Sequence, residues 1–328
     1  MDFEKLRTRL SQFGGIRLVI EYAKLGVLGT VVKGVFRCLV KRQSFKQIYP
    51  EVLEKVEPML IKRYESLIRS KMEEIRGKNL EHQRNKVVWF CWLQGLKKAP
   101  DIVHACYNSL KKNIPDWEIK VIDAQNWKEY AELPDYIVKK WKRKRIPAAL
   151  FSDLLRLELL IKYGGTWIDS TVLCTGEVNS LSSLGRLNRE YFDAGLFLFQ
   201  YTKHGSIPVS ISNWFITACK NNEVLMVLRD MLYAYWKDYD CTLDYYIFHL
   251  FFSTLSKEYP EQITSMPYGS SQNSLVLLHH WGEKFDQNKL DKLTTKVCFH
   301  KLAFRVDEEV KQNKENYYNY ILSEYGGI

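Results

Sequence analysis

Residues 152–171 read SDLLRLELLIKYGGTWIDST. The first part continues a helix that starts near Pro147 and ends at Tyr163. Gly164 and Gly165 then permit the left-handed exit that closes a helix. Thr166–Asp169 (TWID) follows as a short strand and delivers Asp169 at its carboxyl end. Asp153 and Arg156 lie one helical turn apart, on the same face. Two carboxylates and a guanidinium are thus expected to converge at the mouth of a sheet.

Working outward, Lys86–Leu93 (KVVWFCWL) reads as a continuous apolar strand, Ile102–Lys112 as a helix and Glu118–Ile122 (EIKVI) as a second strand. Strands alternating with helices predict an α/β fold, with a mainly parallel, Rossmann-like sheet flanked by helices. Ligands of such sheets bind beyond the carboxyl ends of the strands. Gln94-Gly95 and Asp169-Ser170-Thr171 both occupy that position. Further on, Ala194–Gln200 reads as a strand. Asn213–Cys219, Glu223–Trp236 and Leu243–Leu255 read as helices, and the remainder as a basic, irregular tail.

Before residue 81 the texture is helical. Arg17, Glu21 and Lys24 share one helical face, and Lys33, Arg37 and Lys41 another, with apolar residues opposite. Gly26 and Gly29 divide the two sets into two short amphipathic helices. A third helix is expected at about Pro50–Arg76, with Val52, Val56, Leu60, Tyr64 and Ile68 at fourfold spacing. Residues 1–80 are therefore read as a helical basic extension and 81–328 as a separate domain.

The chain carries a net charge of +10 over 328 residues, and the excess is uneven. Residues 1–50 hold ten basic and three acidic side chains; the other 278 hold 38 and 35. A nearly neutral body counts against a whole-surface nucleic-acid binder. The basic arm instead suggests docking on an anionic membrane. The seven cysteines never fall as CxxC, which argues against a disulfide framework or zinc knuckle and favours a reducing cytosol. Neither a secretory signal nor an apolar run long enough to span a bilayer is apparent. The expected location is cytoplasmic, peripheral to the inner face of the cell membrane.

A hard divalent cation takes oxygen ligands and bridges phosphates. Asp and Arg can hold sugar hydroxyls through charge-assisted hydrogen bonds. The pattern SDxLRxxxLxxxGGxWxD, with an upstream strand ending at Trp92, resembles glycosyltransferase family 32, above all its bacterial capsular polysaccharide synthesis branch. The resemblance covers about residues 86–305, and the Asp–Arg–DxD spacing also resembles the large clostridial glucosylating toxins. It implies a GT-A fold and a retaining hexosyltransferase that uses a nucleoside diphosphate sugar with Mn²⁺ or Mg²⁺. Trp92 then sits where the family stacks an aromatic ring on the nucleobase, and Asp153 and Arg156 where it grips the donor sugar. Asp169 is the first Asp of the DxD metal motif, and Thr171 replaces the second. His300 is the candidate for a further metal ligand, Lys301 for the diphosphate, and Asn213 and Asp244 for catalytic positions. The acceptor is expected to be a lipid-linked oligosaccharide, with no nucleic-acid partner.

Lys139–Arg145 (KKWKRKR) reads as a solvated helix face that could approach acceptor phosphates. His279-His280 reads as surface or packing. A non-enzymatic basic membrane or nucleic-acid adaptor would explain the N-terminus but not residues 152–171. A nucleotidyltransferase on a similar sheet would release pyrophosphate.

Overall fold

Val87–Cys91 is buried along its whole length, so its sequence VVWFC shows no polar alternation. The computed structural model describes residues 16–41, 48–178, 180–201 and 210–327. The first fifteen residues of the basic arm, including the stretch read for a secretory signal, lie outside the described residues.

The described strands are β1 (Val87–Cys91), β2 (Glu118–Ile122), β3 (Gly165–Asp169), β4 (Val172–Cys174), β5 (Leu196–Tyr201), β6 (Ser210–Ala218) and β7 (Phe299–Lys301). The main sheet has the order β2-β1-β3-β6-β5. β1 runs parallel to both β2 and β3, whereas β6 is antiparallel to β3 and to β5. The sheet is therefore mixed, with β6 alone reversed, and the fold class is α/β. β4 and β7 form a separate antiparallel pair.

The chain separates into two compact units. One comprises Leu80–Glu132, Leu155–Leu225 and Tyr259–Ile328 and holds both sheets. The helix Asp101–Asn113 buries Ile102, Val103, Cys106 and Leu110 in its core. Phe197, Phe199, Phe215 and Phe299 are fully buried there, each contributing roughly 1.5–3 kcal/mol of apolar burial. The turn from the helix Ala148–Tyr163 into β3 needs its glycines. Gly164 donates its amide to Leu160 and has φ +70°; Gly165 has φ +92°. A Cβ on Gly165 would lie 2.5 Å from the Val87 carbonyl oxygen.

The other unit comprises residues up to Asn79 with Leu133–Leu154 and Met226–Glu258. Its first helices are Ile16–Lys24 and Leu28–Val40, and Gly26 between them has φ +70°. In the helix Ile48–Arg76, Val52, Val56, Leu60, Tyr64 and Ile68 are all buried, as their fourfold spacing predicts. Arg63 and Tyr64 both donate to Asp238, and Lys140 and Arg145 both pair with Asp240. Two of the six basic residues of the 139–145 run are thereby tied into the unit. Lys139, Lys142, Arg143 and Lys144 stay exposed.

Two sequence expectations are corrected. Asn213–Cys219 is not a helix; residues 210–218 form strand β6, held between β3 and β5. A strand with both faces covered loses its polar alternation. Its buried Ile211, Trp214, Phe215 and Ala218 fall at i, i+3, i+4 and i+7, which imitates a helical stripe. The tail is not irregular either. It forms helices at Pro260–Thr264, Ser271–His280, Gln287–Thr294, Glu308–Gln312 and Tyr317–Tyr325. Ser270, Asp286 and Asn316 cap three of them, each accepting a backbone amide three residues on.

Candidate active site

β1, β2 and β3 end level: Cys91 is in register with Ile122 on one side and Asp169 on the other. Trp92, Asp123 and Asp169 therefore emerge side by side at the carboxyl edge, where parallel sheets bind ligands.

Asp169 is held by three neighbours. Trp167, two residues earlier on the same strand face, donates its indole Nε1–H to Asp169 Oδ1 at 2.9 Å. Arg156 Nη2 lies 3.4 Å from the same oxygen, and Lys301 Nζ lies 3.8 Å from Oδ2. The Arg156 guanidinium sits over the Trp167 ring, 4.8 Å from its centroid, and donates to the Asn213 carbonyl. Arg156 is buried and Trp167 fully so, whereas the Asp169 side chain remains 27% exposed. The charge-bearing group that faces outward is thus seated on a buried aromatic and a buried cation.

Lys301 arrives from β7. The antiparallel β4–β7 register places it opposite Val172. Its Nζ donates to Thr171 Oγ1 at 2.5 Å and to the Leu302 carbonyl at 3.2 Å. The Lys301 backbone is tied to the sheet ladder, and the Leu302 amide donates to the Thr171 carbonyl at 2.8 Å.

The structure thus brings together Arg156, Asp169, Thr171 and Lys301, with the Asn213 backbone behind Arg156. Trp92 stands at the same strand edge, its ring edge-on to Phe304 at 5.4 Å. Its buried Nε1 has no hydrogen-bond partner among the described residues. Asp153 is buried on the helix Ala148–Tyr163, one turn before Arg156. Asp244 belongs to the other unit, where it is buried and its Oδ1 accepts the Tyr246 amide at 2.8 Å. His300 is completely buried, and its Nε2 lies 3.0 Å from Thr175 Oγ1. Burial pushes its imidazole down to about 4. That placement gives no support to a metal-ligating role for His300. His280 pairs with Glu283 at the surface, 2.7 Å away.

Two residues escaped the sequence reading. Trp167 lies inside the GGxWxD motif yet received no role; here it orients both Arg156 and Asp169. Asp123 follows β2 directly, with its Oδ1 accepting the Gln125 and Asn126 amides at 2.8 and 3.0 Å. The strand-end rule that singled out Asp169 would have found it too.

The residues present do not fit the expected Mn²⁺ or Mg²⁺. A hard cation needs several oxygen ligands. Asp169 is the one carboxylate of the motif and already faces two cations, while the Thr171 hydroxyl accepts from Lys301. No group of three or more His, Cys, Asp or Glu side chains is placed to hold a metal among the described residues.

No curated protein matches the chain. Among solved structures, a PaToxG glycosyltransferase matches with a TM-score of 0.38 and 13% identity, over 82% of this chain and 96% of that one. The capsular polysaccharide synthesis protein family matches residues 37–321, most of the 328-residue chain, and the chain belongs to that family.

Proposed function

We propose that this protein is a retaining glycosyltransferase of the GT-A type that moves a hexose from a nucleoside diphosphate sugar to a growing, lipid-linked capsular or surface polysaccharide. The observation that carries the reading is Asp169 at the carboxyl edge of the parallel strands, braced by Trp167 and flanked by Arg156 and Lys301. Family membership supports a role in polysaccharide synthesis.

In this reading Trp92 offers its ring to the nucleobase, and Lys301 meets the diphosphate. Asp153 and Arg156 hold the sugar hydroxyls, so that the oxocarbenium-like state forms in a fixed orientation. Attack comes from the leaving-group face, and a leaving phosphate oxygen takes the acceptor proton. No step is routed through a metal ion.

The membrane surface is the second half of the proposal. No described helix is long and apolar enough to cross a membrane. Yet Ile16, Val19 and Ile20 on one helix, and Val32, Phe36 and Val40 on the next, face outward at helical spacing. Ile16 is 77% exposed, Phe36 68% and Val40 67%. Lys33, Arg37 and Lys41 each follow one residue later. Apolar residues beside cations suit an interfacial helix on anionic lipid. This supports a cytoplasmic enzyme held at the inner face of the membrane, where a lipid-linked acceptor is presented.

The test is a screen of nucleotide sugars, with and without Mn²⁺, for released nucleoside diphosphate. A donor consumed by the wild type but not by Asp169→Asn is expected. Release of pyrophosphate would instead indicate a nucleotidyltransferase, and no turnover of any donor would remove the reading.

A further inference from the structure

We infer that the Lys301 ammonium, seated by Thr171, takes the place of a divalent cation in binding the donor diphosphate, so that donor binding in this protein is independent of metal. The inference rests on the nucleotide-sugar reading above.

Three observations converge on it. The first is the chemistry of position 171. A carboxylate there would complete a pair of anionic oxygens for a hard cation. Threonine supplies a neutral hydroxyl, and that hydroxyl accepts a hydrogen bond from Lys301 Nζ at 2.5 Å. The departure from DxD is therefore matched by an ammonium at that spot.

The second is the count of donors. An ammonium carries three N–H groups and no acceptor. Two of them have partners, Thr171 Oγ1 and the Leu302 carbonyl. The third has Asp169 Oδ2 at 3.8 Å, an ion-pair distance beyond hydrogen-bond range. One N–H therefore stays available for a phosphate oxygen without breaking the bonds that hold the group.

The third is preorganisation. A lysine on a flexible stem is a poor substitute for a bound ion unless its head is fixed. Here the backbone lies in the β4–β7 ladder and the head is held at two points. The buried Arg156 guanidinium, on the other side of Asp169, adds a second fixed positive charge. Asp169 then acts as the counter-ion that keeps both cations in place before the donor arrives.

The experiment is calorimetric titration of the full chain with UDP, GDP, ADP, CDP and dTDP in turn. Each is run once with EDTA and once with Mn²⁺, and Mn²⁺ alone is titrated as well. The expected result is that at least one nucleotide binds equally in both conditions, within about twofold, and that Mn²⁺ alone gives no heat. Lys301→Ala should weaken that binding by roughly tenfold or more, the loss of one charge-assisted hydrogen bond. Lys301→Arg should keep most of it. Lys301→Ala combined with Thr171→Asp should restore binding only when Mn²⁺ is present. Circular dichroism and melting curves check that each variant is folded.

A nucleotide that binds the wild type only with Mn²⁺ would overturn the inference and leave the transferase reading standing. Metal-independent binding that Lys301→Ala does not weaken would overturn the role of Lys301. Absence of binding by any nucleotide in both conditions would overturn the nucleotide-sugar reading, and this inference with it.

Discussion

Trp167 donates its indole N–H to Asp169 Oδ1 at 2.9 Å, while the same indole ring lies beneath the Arg156 guanidinium, 4.8 Å from ring centroid to Cζ. One buried side chain thus orients an anion and a cation of the site. Trp167→Phe removes the donor and keeps an aromatic face under Arg156. The variant should fold with a loss of about 1–2 kcal/mol in stability and lose roughly tenfold in kcat/KM. Unchanged transfer kinetics would show that Asp169 holds its orientation without the indole.

Asp169→Asn keeps the acceptor oxygen for Trp167 but removes the charge between Arg156 and Lys301. Sugar transfer should fall by roughly a hundredfold, the scale of losing one preorganised electrostatic contact. Circular dichroism and the melting curve should stay close to those of the wild type. Transfer at the wild-type rate by a folded variant would remove Asp169 from the mechanism.

Gly165 has φ +92°, and an added Cβ would lie 2.5 Å from both the Val87 carbonyl oxygen and Val87 Cγ1. Gly165→Ala therefore combines backbone strain with a clash against the neighbouring strand β1. A destabilisation of about 3 kcal/mol or more is expected, read as a lower denaturant midpoint. Gly195, where an added Cβ meets nothing within 4 Å, is the control; Gly195→Ala should change stability little.

Burial holds the His300 imidazole near 4, below its ordinary value of 6.5. The unfolded chain therefore takes up that proton more readily than the folded one. The stabilisation is complete above about pH 6.5 and is lost as pH falls toward 4. Between pH 7 and pH 5 the loss should be about 2 kcal/mol. His300→Gln, which retains a partner for Thr175, should remove that share of the pH dependence in urea titrations. Wild-type and variant stabilities that fall in parallel would refute it.

The outward Phe36 and Val40 make few demands on folding, so Phe36→Asp with Val40→Asp should leave the melting curve intact. Co-sedimentation with vesicles containing phosphatidylglycerol should weaken by roughly tenfold or more, since each apolar side chain buried in the interface is worth about 1.5–3 kcal/mol. High salt should release the wild type partially, through the lysine and arginine share of the attraction. Equal binding by the double variant would rule out this face as the membrane contact.

The parts of the fold that were legible in the sequence are those with local punctuation. β1 lies in a short apolar run, Val87–Leu93, bounded by Lys86 and Gln94, and Gly164-Gly165 marks the step from helix to β3. The 48–76 helix shows its buried stripe directly. β6 was misread because burial on both faces erased its alternation and left apolar residues at helix-like intervals. The tail was misread because its short helices depend on side-chain caps at Ser270, Asp286 and Asn316 more than on a long periodic stripe. At the site, Asp169 and Arg156 were readable because one helix-turn-strand carries both. The bond between Lys301 and Thr171 spans 130 residues of sequence, and no local pattern encodes it. Trp167 was visible as a letter of the motif, but its double role comes from the ring's position in space.

The β4–β7 ladder also sets a schedule. Asp169 and Thr171 leave the ribosome well before Lys301, and the sequence separation of 130 between Thr171 and Lys301 takes on the order of ten seconds to synthesise. During that interval the carboxylate and the hydroxyl exist without their ammonium. A chain arrested between Thr171 and β7 therefore carries the whole SDLLRLELLIKYGGTWIDST signature and half of its charge balance. Copies that end between Thr171 and β7 have the recognisable motif but not the finished cationic seat.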